Sequence, residues 1–213
     1  MTETKLGGDS STLKQRILFE ATKLFAQQGY NATSIRQVVE ACDCTKPALY
    51  YYFSSKENLF EQIIQHEVDL VTDLLNNFVT LPGPIRPRIH DAIQSFVEHM
   101  KANRNGMNLL QRVDLLPEDG APTIDVSAGR KLHFDLLADL IEQGIRSGEV
   151  RKEVDPFQCA FAMTAICTFH LQMWQRGEID SLDDLESYIN LLFDGVSGQS
   201  SPPPTLQAGS TTG

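Results

Sequence analysis

The sequence predicts an all-α fold: an N-terminal three-helix head, joined by a long helix to a helical body, with nine helices in all. Three observations carry this expectation. Apolar side chains recur at three- and four-residue spacing through most of residues 17–193, the period of a helix that buries one face. No stretch alternates convincingly as a half-buried strand would. Helix punctuation separates the apolar segments: Gly29, Pro47, the run Leu81-Pro82-Gly83-Pro84, Asn105-Gly106, Gly148 and Gly177.

In the first helix Ile17, Leu18, Ala21, Leu24 and Phe25 share one face. Gly29 ends it, and Tyr30 is placed to fold back on the last turn. Ser34 caps the second helix, and Gln37, three residues on, completes a capping box. Its apolar face is Ile35, Val38, Val39 and Cys42. After a tight connection at Asp43-Cys44, the third helix opens at Thr45 or Lys46. Pro47 lies in its first turn, where a missing N–H does no harm. It is short and runs to Phe53. Ser54 and Glu57 read as another capping box, opening a fourth helix over 55–78 with Leu59, Phe60, Ile63, Ile64, Val68, Val71 and Leu75 inward. Five more helices are expected at 86–103, 106–116, 124–147, 156–176 and 182–195. Residues 1–11 and 197–213 are expected to be disordered, because neither holds enough apolar surface to offset the entropy of ordering. The head therefore takes 12–57 and the body 58–196.

Composition narrows the class. The 213 residues are 41% hydrophobic and 22% charged, which is ordinary for a globular chain. The longest apolar run, 159–169, is too short to span a bilayer, and the polar start shows no secretory signal. Four cysteines in a chain this long read as reduced thiols, so the expected location is the cytoplasm. Charge is uneven: residues 1–57 hold seven basic and six acidic groups, and the remainder 11 basic and 22 acidic. A near-neutral head on an acidic body suits a head that meets a polyanion, although chance surface variation gives the same numbers.

The second and third helices, joined by a turn of a few residues, form a helix-turn-helix arrangement, whose second helix enters a DNA major groove. Val38, Val39 and Leu49 anchor the pair. The outer face of the third helix then offers Thr45, Lys46, Tyr50 and Tyr51, groups that bond phosphates and touch base edges. Lys56, beside the start of the fourth helix, and Thr33, Ser34 and Arg36 at the start of the second are candidate phosphate contacts. Tyr52 is a further candidate, because three consecutive tyrosines cannot all face inward.

The runs Gly29-Tyr30-Asn31-Ala32-Thr33-Ser34-Ile35-Arg36, Thr45-Lys46-Pro47-Ala48-Leu49-Tyr50-Tyr51-Tyr52-Phe53 and Ser55-Lys56-Glu57-Asn58-Leu59 resemble the DNA-binding head of the TetR family of transcriptional regulators. The resemblance implies a homodimer on a palindromic operator, usually a repressor, and a small ligand in the body that releases the DNA. Two departures stand out. Asp43 occupies a turn position where the family usually has Gly; Asp tolerates the left-handed region better than most residues. Pro47 stands where many members have Gly, and is carried over as a packing contact on DNA at most.

In the body, Phe96, His99, Met100, Met107, Leu110, Gln111, Leu137, Thr164 and Thr168 are candidate lining of a ligand cavity, though the same spacing describes an ordinary core. The helix at 156–176 is apolar nearly all round and must be covered on most sides. Phe161, Phe169, Met173 and Trp174, with Leu185, Ile189 and Leu192 of the last helix, are the candidate dimer interface. The null alternative is an intrachain core. Cys42 and Cys44 read as packing residues, no histidine shows metal-ligand spacing, and no nucleophile or phosphate-loop motif is present, so neither metal nor cofactor nor enzymatic activity is expected. An activator or a chromosome-organising protein with the same head is the alternative function.

Overall fold

A computed structural model of the chain describes residues 9–115 and 118–196. Among the described residues it is all-helical, in the order α1 (Asp9–Ala32), α2 (Ile35–Ala41), α3 (Lys46–Tyr52), α4 (Lys56–Thr80), α5 (Ile85–Ala102), α6 (Arg104–Leu115), α7 (Ser127–Ser147), α8 (Pro156–Arg176) and α9 (Leu185–Val196). The expected helices are all present, with ends shifted by a few residues. α1 already begins at Asp9, inside the segment expected to lack structure, whereas residues 1–8 and 197–213 lie outside the described ones.

Gly29 breaks the helical dihedrals of α1 at φ 85°, a backbone conformation suited to glycine. The chain then doubles back, and the Tyr30 ring stacks on Phe25 at 5.8 Å. The capping box of α2 is formed as expected, with Ser34 accepting from the Gln37 N–H and Gln37 accepting from the Ser34 N–H. At α4 the cap sits one residue later than the sequence suggests. Ser55, not Ser54, accepts from the Asn58 N–H at 3.0 Å, and Asn58 accepts from the Ser54 N–H. Glu57 lies in the first turn and takes no part in that cap.

Two cores meet along α4. The head core gathers Ile17, Phe25, Val38, Leu49, Phe53, Leu59, Phe60 and Ile63, and Leu109 of α6 enters it from the body. The body core runs from Val79 and Ile85 through Met100 and Leu140 to Leu185 and Phe193. At 25 residues, α4 is ~37 Å long, enough to belong to both. Its C-terminal end is pinned. Leu81, before Pro82, takes the extended conformation that a following proline favours. The buried Arg88 guanidinium donates to the last carbonyls, Phe78 O at 2.8 Å and Val79 O at 2.6 Å, and to Gln143 Oε1 at 2.8 Å.

Candidate nucleic-acid interface and body cavity

α3 has seven residues, too few to be stable alone. It is held by Leu49 and Phe53, both fully buried in the head core. Together they contribute ~3–6 kcal/mol of apolar burial. With these two facing inward, the helical period turns Lys46, Pro47, Tyr50 and Tyr51 outward. Tyr51 is 81% exposed and Tyr50 48%. Thr45 caps the helix, its hydroxyl accepting from the Ala48 N–H at 3.3 Å, and remains exposed. The turn before α3 closes by two backbone bonds, Asp43 N–H to Glu40 O and Cys44 N–H to Val39 O. That pairing needs a left-handed residue at its centre, and Asp43 supplies it at φ 48°.

The remaining candidates divide. Ser34 is exposed beside the cap it forms. Arg36 is exposed and paired with Glu40 at 2.7 Å, a surface pair weak enough to exchange for a phosphate. Tyr52 is half-buried, edge-on to Tyr51 at 4.9 Å and tilted against Phe53. Two expectations are corrected. Thr33 is 1% exposed and its hydroxyl donates to Gly29 O at 2.7 Å, so it closes the α1–α2 turn instead of facing outward. Lys56 is half-buried with its ammonium 4.0 Å above the Tyr30 ring, and desolvation lowers its pKa. The cation–π contact draws it onto the protein, away from the position expected for a phosphate contact.

The body holds a cavity of about 700 Å³ bounded by α4 to α8, with Ile189 of α9 also in its wall. Of the nine residues expected to line it, Phe96, Met107, Leu110, Gln111, Leu137, Thr164 and Thr168 do so. Met100 and His99 do not. Met100 is fully buried in the body core, and the His99 Nε2 is sealed without a partner, its imidazole pKa lowered by desolvation. Arg130, Asp114 and His133 also line the cavity, and sequence reasoning missed the first two. Arg130 and Asp114 pair with each other. Burial lowers the His133 pKa, and its Nε2 lies 2.9 Å from Thr72 Oγ1. The Thr72 hydroxyl donates to Val68 O, which leaves the imidazole Nε2–H as the donor to Thr72.

The expected dimer residues also divide. Phe161 and Phe169 are exposed on α8, and Met173, Trp174 and Leu192 are half-buried. Leu185 and Ile189 are corrected: both lie in the chain's own core, because α9 turns that stripe toward α5 and α8. The exposed large apolar side chains of α8 and α9 are Phe157, Phe161, Phe169, Tyr188 and Leu191, of which Phe161 and Phe169 also line the cavity. No cluster of metal-ligating side chains and no helix long and apolar enough to cross a membrane is found among the described residues.

Residues 17–63 match the family described as bacterial regulatory proteins, tetR family. The HTH-type transcriptional activator FasR of Mycolicibacterium smegmatis is 23% identical over 186 residues, covering 85% of this chain and 82% of that protein. The HTH-type transcriptional repressor KstR2 of Rhodococcus jostii is 22% identical over 186 residues, covering 86% and 90%. The fold is shared with TylP, a TetR regulator from Streptomyces fradiae, at a TM-score of 0.70 and 21% identity over 88% of each chain. The head motif and the fold agree: residues 17–63 match the DNA-binding head of the TetR family, and most of the chain shares its fold with solved regulators of that type.

Proposed function

We propose that the protein represses transcription by binding a palindromic operator as a homodimer, through α3, and leaves the DNA when a small apolar ligand fills the body cavity. The observation that carries the reading is the outward face of α3. A helix held by Leu49, Phe53 and the half-buried Tyr52 presents Thr45, Lys46, Tyr50 and Tyr51 to solvent, with the Thr45 cap and the Tyr51–Tyr52 edge contact as their contacts among the described residues. Solvent-facing phenols at this density are costly on a free surface and apt for a groove. One such helix reads few base pairs, so two, ~34 Å apart, are needed for a palindrome. Repression is the family's usual sign, and KstR2 is named a repressor; FasR is named an activator, so activation by the same head is the second reading. Genome-wide mapping separates both from chromosome organisation, which requires many scattered sites instead of a few promoters.

The test of the head is Lys46→Ala with Tyr51→Ala, assayed on a duplex selected from random DNA by the parental protein. Each head loses one phosphate cation, so the slope of log affinity against log salt becomes shallower by about 1 per head. Parental affinity and slope in a folded double variant would falsify the assignment.

A further inference from the structure

Besides α4 and the packing of α6 on α1, the head is tied to the body by a polar contact. The α6–α7 loop crosses to the C-terminal end of α1, where the carboxylate of Glu118 meets the chain just after Gly29. Its Oε2 accepts from the Tyr30 N–H at 3.0 Å, and its Oε1 from the Asn31 N–H at 3.1 Å and from Asn31 Nδ2 at 3.0 Å. Asn31 Nδ2 also donates to Asp119 O at 2.7 Å. Arg112 stands on the other side, 3.7 Å from Glu118 Oε2, and its Nη1 donates to Ala26 O.

The local geometry is made for this contact. Positive φ at Gly29 turns two successive N–H groups toward one point, an anion-binding concavity of backbone. A side chain at Gly29 would put its Cβ 2.6 Å from Glu118 Oε2 and push the carboxylate off the two amides, while the glycine itself is required by the turn. Partial burial alone would raise the Glu118 pKa. The Asn31 and Tyr30 donors and the Arg112 charge outweigh it and hold the carboxyl below its usual range, so it is ionised at neutral pH. Ile124 and Val126, further along the loop, pack on the head core. The roots of the loop are cavity wall: Gln111 and Asp114 on α6, Arg130 on α7, with Asp114 and Arg130 paired.

We propose that Glu118 is a positioning residue for DNA recognition: clasping the Tyr30 and Asn31 amides, it fixes the pose of the head on the body and so sets the half-site spacing the dimer accepts. This rests on the dimeric DNA-binding reading above. The argument is mechanical. α4 joins head to body covalently and α6 packs on α1, with Leu109 in the head core, but apolar packing of this kind permits small sliding and rolling. The Glu118 clasp adds directional hydrogen bonds at the C-terminal end of α1 that oppose such motion. Adding one base pair between half-sites moves the second by ~3.4 Å and rotates it by ~35°, so a head with a fixed pose is intolerant of it.

The test uses the full chain and Glu118→Gln, which keeps the shape but turns an amide donor toward the backbone donors. Asn31→Ala loosens the same clasp from the head side, and Glu153→Gln, an exposed carboxylate of the body, is the control. The first readout is hydrogen exchange of the peptide holding Tyr30 and Asn31, expected to quicken by ~10-fold or more in both clasp variants. The second is affinity for duplexes derived from the parental selected site with one or two base pairs added or removed at its centre. The parental protein and the control are expected to lose at least 10-fold per step, and the clasp variants under 3-fold. Unchanged exchange, or a loss of affinity equal at every spacing, overturns the proposal; the latter is what mere destabilisation produces. Failure of the parental protein to select any duplex overturns the DNA reading and the spacing claim with it, while exchange still reports on the clasp.

Discussion

Glu67 shows what a single side chain can reveal only after folding. It lies on α4, buried, with one partner: Asn103 Nδ2 donates to its Oε2 at 2.5 Å. Gly106 backs directly onto it, and a Cβ there would stand 2.2 Å from Oε1. Desolvation raises its pKa to about 7 against a partial offset from the Asn103 bond. The folded state thus holds the proton more tightly than the unfolded chain does. The contribution of Glu67 to stability is therefore fullest below about pH 4.5 and is lost as pH rises through 7, by about 3 kcal/mol in all. Glu67→Gln carries no such penalty. Urea midpoints should coincide near pH 4.5 and favour the variant at pH 8.5; a difference that does not change with pH would refute the account. Nothing in the sequence around Glu67 marks it, because its burial depends on α5 and α6 closing over it. Thr33 misleads for the same reason. It stands next to a cap residue and carries a hydroxyl, yet the turn at Gly29 folds that hydroxyl inward.

At the scale of elements, local chemistry was legible. Caps, glycine stops and apolar stripes placed the helices to within a few residues, and the capping box of Ser34 and Gln37 formed as read. Which stripe faces which neighbour was not. α9 reads as one apolar face, and only its packing on α5 and α8 sends Leu185 and Ile189 inward while Tyr188 and Leu191 stay out. α4 is the element on which the proposed release step depends. Its first half packs in the head core, its side chains Val68, Val71, Leu74 and Leu75 line the cavity, and its end is fastened by Arg88. A ligand that displaces those side chains against a fixed far end must move the near end, which carries the head. The wall also restricts the ligand. Asp114 and Arg130 neutralise each other and burial keeps His133 uncharged, so a buried ligand charge would find no free counter-charge on these residues. Titrating 1-decanol, decanoate and decyltrimethylammonium against the complex with the selected duplex compares three head groups on one tail. The alcohol is expected to weaken affinity by ~5–150-fold and the cation to leave it unchanged. Equal effects from all three, or none from the alcohol, count against this reading.

At the scale of the whole molecule, charge and apolar surface pull against each other. Each chain carries a net charge of −10, made of +1 through residue 57 and −11 beyond it, so two bodies repel each other and repel DNA. The second repulsion is managed by distance. The first half of α4 lies in the head, and its second half, ~18 Å long, carries the far part of the acidic body about two Debye lengths (~8 Å each) from the head. The first must be overcome by burial. α8 exposes Phe157, Phe161 and Phe169 and α9 exposes Tyr188 and Leu191, apolar side chains that a second copy would cover. A stable dimer covers ~800 Å² per partner, within reach of two helix faces of this size. Placing like charges at the centre should defeat it. With Phe169→Glu and Leu191→Glu together, sedimentation at micromolar concentration should report a folded monomer where the parental chain gives a dimer. Affinity for the full palindrome should fall toward that for a single half-site, since neither substitution touches α3. A double variant that still sediments as a dimer would mean that the two copies meet through another face, and the placement of the two heads would have to be built from that face instead.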